Sequence, residues 1–193
     1  MTTADKVTSV RLVLAPIFFI IYFLSDWFPS LGVRWSVPVL WLLFIVAELT
    51  DMVDGQIARS RKQVSDFGKL YDPFADTLAR ITYFLCFVVD GVLPAVLLVV
   101  VLFREFGILF LRILMMQRGI AMGARSGGKI KAVAYMLTGV AALAAASSAR
   151  LGFDLSIFQM IRYAAVGLFV VAVILSLASF IDYFRVFRKS EKV

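Results

Sequence analysis

Residues 48–76 read ELTDMVDGQIARSRKQVSDFGKLYDPFAD, placing Glu48 at the end of one of the most apolar parts of the chain, residues 37–49, and Asp51, Asp54, Asp66, Asp72 and Asp76 between it and another, residues 81–103. An aspartate at the middle of a membrane helix costs about 2.5–3.5 kcal/mol on insertion scales, and less toward an interface, so this run of acids requires cationic compensation. On a helix of about 3.6 residues per turn, Asp51 and Asp54 are three apart and Asp72 and Asp76 four apart, so each pair projects from one face. The polar turn 60–67 joins the two helices. As an antiparallel pair they bring Asp54 and Asp72 to one depth, one to two turns below a membrane surface, and four carboxylates converge there.

The surroundings extend through the whole chain. Of its 193 residues 62% are apolar, against roughly 45–50% in soluble domains. Stretches near 10–24, 37–49, 81–103, 132–149 and 156–184 are long enough to cross, or nearly cross, a hydrocarbon core that takes about 20 helical residues. The expected fold class is all-α, an integral membrane bundle of six transmembrane helices forming one domain over residues 1–193, with a short interfacial helix at its N-terminus. Residues 1–9 supply that amphipathic lead-in, and Thr8 or Ser9 caps the first span.

The remaining spans are expected at 37–59, 68–90, 95–117, 130–148 and 156–187. They are separated by an outer loop flanked by Trp27 and Trp35, the basic turn 60–67, an outer turn at 89–94 and a glycine-rich basic loop at 118–129. The last run, about 45 Å long as one helix, must tilt, kink or project from the membrane.

A net charge of +7 would suit a nucleic-acid partner, but its distribution argues against one. With six spans and both termini inside, Lys6, Arg11, Arg59, Arg61, Lys62, Lys69, Arg118, Arg125, Lys129, Lys131, Arg185, Arg188, Lys189 and Lys192 all fall on the cytoplasmic side. The outer side keeps Arg34, Arg150 and Arg162, the asymmetry of positive-inside topology. Arg80, Arg104 and Arg112 remain within spans. No cleavable signal peptide is read in the first apolar run.

The chain has no histidine, so a general base must be Asp, Glu, Lys or Tyr, and a histidine-containing zinc site cannot be built. Cys86, the single cysteine, sits among Tyr83, Phe84, Leu85, Phe87 and Val88 and reads as packing. The four aspartates offer oxygen donors alone, which favours Mg²⁺ or Mn²⁺ over zinc or copper. Two such ions would balance four carboxylates and, with Arg59 close by, leave a site attractive to a diphosphate. Gly123-x4-Gly128-Lys129 resembles the start of a phosphate-binding loop, but Ile130 replaces the hydroxyl residue that would hold Mg²⁺, and no strand precedes it.

The spacing Asp51-x2-Asp54-Gly55-x2-Ala58-Arg59-x8-Gly68-x3-Asp72-x3-Asp76 resembles the complete signature of the CDP-alcohol phosphotransferase family. That resemblance implies a six-helix membrane enzyme of bacterial inner-membrane type, commonly a homodimer among membrane lipids, with its active site on the cytoplasmic side. Such an enzyme passes a phosphatidyl group from a CDP-linked donor to an alcohol and releases CMP. The resemblance further implies that Asp51, Asp54, Asp72 and Asp76 hold the metal ions, with Asp76 also taking the proton of the acceptor hydroxyl. Gly55, Arg59, Ser65 and Gly68 would contact the CDP part of CDP-diacylglycerol. Glycines there let a nucleotide approach the backbone, and an arginine offers a planar fork to phosphate.

Outside that stretch, Arg104-Glu105, Arg112 and Gly128-Lys129-x-Lys131 resemble the bacterial branch whose acceptor is sn-glycerol 3-phosphate. A phosphorylated acceptor needs fixed positive charge, which Arg112, Arg118, Lys129 and Lys131 would supply. Glu105 and Arg112 are seven apart and share a helix face, so an intramembrane ion pair is the competing reading of both. Thr77 follows Asp76 where that branch has lysine, and Ala132 follows Lys131 where threonine is usual. The alternative acceptors are inositol phosphate, serine and choline. An ion or proton transporter would instead spread its acids through the membrane depth on several helices.

Overall fold

In the computed structural model, residues 3–60, 66–117 and 126–190 are described. Side chains are described within these ranges except at 3–7, 51–60, 66, 67, 69, 126–129, 186, 189 and 190. Six helices account for nearly all of them: α1 (Thr3–Trp27), α2 (Ser36–Ser60), α3 (Asp66–Val89), α4 (Ala95–Gln117), α5 (Ser126–Leu151) and α6 (Leu155–Ser190). A short 3-10 turn, Pro29–Leu31, lies between α1 and α2.

The helix ends follow local chemistry. Gly91, at φ +69, lets the chain leave α3: its N–H bonds the Val88 carbonyl at 3.0 Å while Val92 N–H reaches the Phe87 carbonyl at 2.8 Å. The expected break at Thr8–Ser9 does not form. α1 is continuous from Thr3, so the separate interfacial helix is replaced by the first turns of a single helix, and Thr8 spends its hydroxyl on α3 instead of on a cap.

α1, α5 and α6 are each apolar and long enough to cross a membrane. α2 keeps a shorter apolar stretch, Ser36–Thr50. The helices short of that criterion are the ones that carry Glu48 and the aspartates, Arg80, Arg104, Glu105 and Arg112.

Contact register gives the relative directions. Partners across α1 and α3 keep a nearly constant separation, Thr8 with Asp72, Ser9 with Tyr71, Phe18 with Tyr83 and Tyr22 with Asp90, so these helices run parallel. The same holds for α4 and α6, where Arg104 meets Ser176 and Arg112 meets Tyr183. Across α2 and α5 the partners run in opposite order, Trp41 with Ser147 and Ser36 with Arg150, so that pair is antiparallel.

α1 packs on both α2 and α3, and α6 on both α4 and α5. Among the described residues, the two helices that the acidic stretch joins touch directly where Phe44 of α2 lies 5.7 Å from the Tyr83 ring of α3, and α1 packs on both.

Because lipid tails are as apolar as leucine, association rests on close packing and polar bonds. α5 and α6 pack closely together, and both bury small residues, Ala142, Ala145 and Ala146 on α5 and Ala165 and Ala172 on α6. α1 and α3 interlock aromatic rings, Phe18 against Tyr83 at 4.6 Å and Tyr22 against Phe87 at 5.9 Å. Gly139 lets α5 come so near α2 that an added Cβ would lie 2.7 Å from the Phe44 ring. Phe44 is fully packed and rests on Tyr83, so it has little room to yield. Gly139→Val is expected to lower stability by about 1–3 kcal/mol, read as a fall in the thermal unfolding midpoint of the purified protein in detergent.

At the end of the bundle away from Asp72, Arg150 binds the Tyr22 carbonyl at 3.0 Å and the Ser36 hydroxyl at 3.1 Å, and lies 3.6 Å from Asp90. Arg162 donates to the Gly91 carbonyl at 2.9 Å. Two of the three arginines expected on the outer side thus clamp helix ends together there.

Candidate active site

The helix pitch sets Asp72 and Asp76 on one face of α3, one turn apart, and α1 covers that face. Pro73 lies between them and has no N–H for the carbonyl of residue 69, so the ladder lacks one rung where the two acids stand. Thr8, completely buried, donates its hydroxyl to Asp72 Oδ1 at 2.7 Å. Beside it the hydroxyls of Ser9 and Tyr71 are 2.8 Å apart. Arg11, 3% exposed, forms an ion pair and hydrogen bond from Nη1 to Asp76 Oδ1, while the Asp76 side chain keeps 31% of its surface exposed. An arginine in an apolar run must find an anion, and this one finds the carboxylate on which the resemblance places the chemistry.

Asp76 opens into a small cleft, whose other walls are Arg11, Ala47, Glu48, Ala79, Arg80 and Tyr83. α1, α2 and α3 all contribute, and the wall carries two guanidinium groups and two carboxylates. Gly68, half-buried, lies one turn before Asp72 on α3.

Asp51, Asp54, Gly55 and Arg59 belong to the closing turns of α2, and their side chains lie outside the described residues. Ser65 and Arg118 lie outside them altogether, as does the side chain of Lys129.

The residues expected to bind the acceptor's phosphate separate along α4. Lys131 donates to Glu105 Oε1 at 2.9 Å, and Arg104 Nη1 approaches the same oxygen at 2.8 Å while its Nε binds the Ser176 carbonyl at 3.0 Å. Glu105 thus pairs with its chain neighbour and with α5, and not with Arg112 one helix face along. Arg112 lies two turns, about 10 Å, further along α4 and donates to the Tyr183 hydroxyl at 3.2 Å. Removing Glu105 would leave two buried cations facing each other. Glu105→Ala is therefore expected to cost about 3–5 kcal/mol, seen as loss of the monodisperse folded protein or a steep fall in its unfolding midpoint.

Of the four aspartates expected to hold a divalent cation, Asp72 and Asp76 have described side chains. Among the described residues no three His, Cys, Asp or Glu side chains come together. The chemistry of these two fits a hard cation: both are acceptor-only carboxylates one turn apart, and at Asp76 a positive group, Arg11, is already accommodated.

A family model described as CDP-alcohol phosphatidyltransferase matches residues 1–178. The chain belongs to the CDP-alcohol phosphatidyltransferase family. Among its relatives is the CDP-diacylglycerol–glycerol-3-phosphate 3-phosphatidyltransferase of Treponema pallidum, 39% identical over 97% of this chain and 89% of that protein. The protein of the same name from Bacillus subtilis is 37% identical over 69% of this chain and 72% of its own length. Thr8 as partner of Asp72 and Arg11 as partner of Asp76 are not among the site residues expected from the sequence. The available signal was Arg11 itself, a charge three residues after a threonine in an otherwise apolar run.

Proposed function

We propose that this CDP-alcohol phosphatidyltransferase transfers the phosphatidyl group of CDP-diacylglycerol to sn-glycerol 3-phosphate, giving phosphatidylglycerophosphate and CMP. The observation that carries the reading is Asp76. It is part-exposed in a cleft and one turn from Asp72, in a chain whose family match spans nearly its whole length. The 39% identity to the Treponema pallidum relative supports the choice of acceptor.

In the proposed reaction the acceptor hydroxyl oxygen attacks the phosphorus that bears diacylglycerol. The bond from that phosphorus to the CMP phosphate breaks, CMP leaves with the bonding electrons, and the hydroxyl proton passes to the Asp76 carboxylate. Asp51, Asp54, Asp72 and Asp76 would hold two Mg²⁺ or Mn²⁺ ions, which when bound supply the positive charge that a diphosphate requires. Thr8 fixes the orientation of Asp72 through its hydrogen bond, and Arg11 does the same for Asp76. Gly55, Arg59, Ser65 and Gly68 would receive the CDP moiety. Lys131 and Arg112, with Arg118 and Lys129, would draw the acceptor phosphate toward this end of the bundle.

The six helices would each span a bacterial cell membrane, with both termini and the cleft on the cytoplasmic side. The alternation of helix directions and the gathering of basic residues at the Asp72 end support that topology. The protein would work as a homodimer among membrane lipids.

The test is CMP release from CDP-diacylglycerol by purified protein with Mg²⁺ or Mn²⁺, run in parallel with glycerol 3-phosphate, inositol phosphate, inositol, serine and choline. Release that requires glycerol 3-phosphate is expected. Release with another acceptor would overturn the substrate, and none with any would overturn the activity.

A further inference from the structure

Among the described residues, Arg80 is the cation in the Asp76 cleft that no carboxylate holds. Arg11 is committed to Asp76, whereas Arg80 makes no ion pair there, and its guanidinium carbon lies 5.0 Å from the centre of the Tyr135 ring. Lys131 approaches the same ring, its ammonium 5.6 Å from the centre. Glu105 carries one negative charge and answers both Arg104 and Lys131, so this neighbouring group retains a positive surplus. Two cations from α3 and α5 thus lie against one aromatic ring, and one of them lines the cleft that contains Asp76.

The spacing also matters. Arg80 is four residues beyond Asp76, so the two share a helix face with Cβ atoms about 5–6 Å apart. A three-carbon acceptor with a hydroxyl at one end and a phosphate at the other has ends separated by a comparable length. With its hydroxyl at Asp76, its phosphate would meet the Arg80 guanidinium, whose planar fork suits phosphate oxygens.

We infer that Arg80 binds the phosphate of the acceptor and sets the preference for a phosphorylated over a neutral alcohol. This deepens the function proposed above and rests on it. The same guanidinium could instead serve the donor's diphosphate, and the kinetics separate the two.

Full-length wild-type protein, Arg80→Gln and Arg80→Lys would be assayed for CMP release with CDP-diacylglycerol, using glycerol 3-phosphate or glycerol as acceptor. Arg80→Gln is expected to raise KM for glycerol 3-phosphate about 10- to 100-fold while KM for CDP-diacylglycerol stays within about twofold. Turnover of glycerol, which has no phosphate to lose, should persist, so the preference between the two acceptors collapses. Arg80→Lys, which keeps the charge and the cation–π contact, should fold and show a smaller rise in the same KM.

An unchanged KM for glycerol 3-phosphate in either variant, a rise confined to CDP-diacylglycerol, or an equal loss with both acceptors would overturn the inference. Absence of glycerol 3-phosphate-dependent release by the wild-type protein would refute the underlying function and the inference with it, a result distinct from failure in the variants alone.

Discussion

Asp76→Asn is expected to reduce CMP release by at least about 10²- to 10⁴-fold while CDP-diacylglycerol still binds. Asparagine has nearly the same shape and can keep an oxygen toward Arg11, so the cleft wall formed by Arg11, Glu48 and Tyr83 stays in place. What it cannot do is accept the hydroxyl proton, and its oxygen carries no formal charge. Asp51→Asn and Asp54→Asn should behave differently, weakening donor binding and turnover together, because their proposed work is holding positive charge under the diphosphate. Turnover measured beside equilibrium binding of the donor separates the two patterns. Full turnover in Asp76→Asn would remove the general-base role.

Metal withdrawal is the second large effect. A chelator such as EDTA should bring CMP release to background, and excess Mg²⁺ or Mn²⁺ should restore it, since ligand carboxylates bind such ions reversibly. Without the divalent charge, the diphosphate of the donor would meet the Asp76 and Glu48 carboxylates with Arg11 already bound to Asp76 and Arg80 as the remaining cation of the cleft, too little positive charge to hold it. Undiminished release in the chelator, with metal removal verified by elemental analysis, would contradict the role given to the aspartates.

Much of the architecture was legible because it is local. Apolar runs and the Asp90-Gly91 and Pro94 turn signals place α3 and α4 within two residues of where they fold, and the aspartate spacing puts Asp72 and Asp76 on a common face. The contacts that complete the site are of another kind. Thr8 meets Asp72, and Arg11 meets Asp76, across more than sixty residues of chain. No periodicity reports such a pairing. Locally, a threonine before an apolar run suggests a cap, and an arginine in its first turn suggests an interfacial anchor. Only the packing of α1 against α3 reveals both as partners of the acids.

Glu105 illustrates the same limit. Its spacing from Arg112 allows a pair, yet Lys131 from α5 and the adjacent Arg104 reach it first. The face of a helix is readable from its sequence; the neighbour that covers the face is not.

The central claim is that a phosphatidyl group moves from a CDP donor to the hydroxyl of a phosphorylated three-carbon alcohol. Its most direct test supplies sn-glycerol 3-phosphate carrying a radiolabel in the glycerol carbons, with CDP-diacylglycerol and Mg²⁺, and counts label in the organic phase against CMP released. Lipid-bound label in a one-to-one ratio with CMP, as a product that still bears a phosphomonoester, is the predicted result. CMP released while the label stays in the aqueous phase would contradict it.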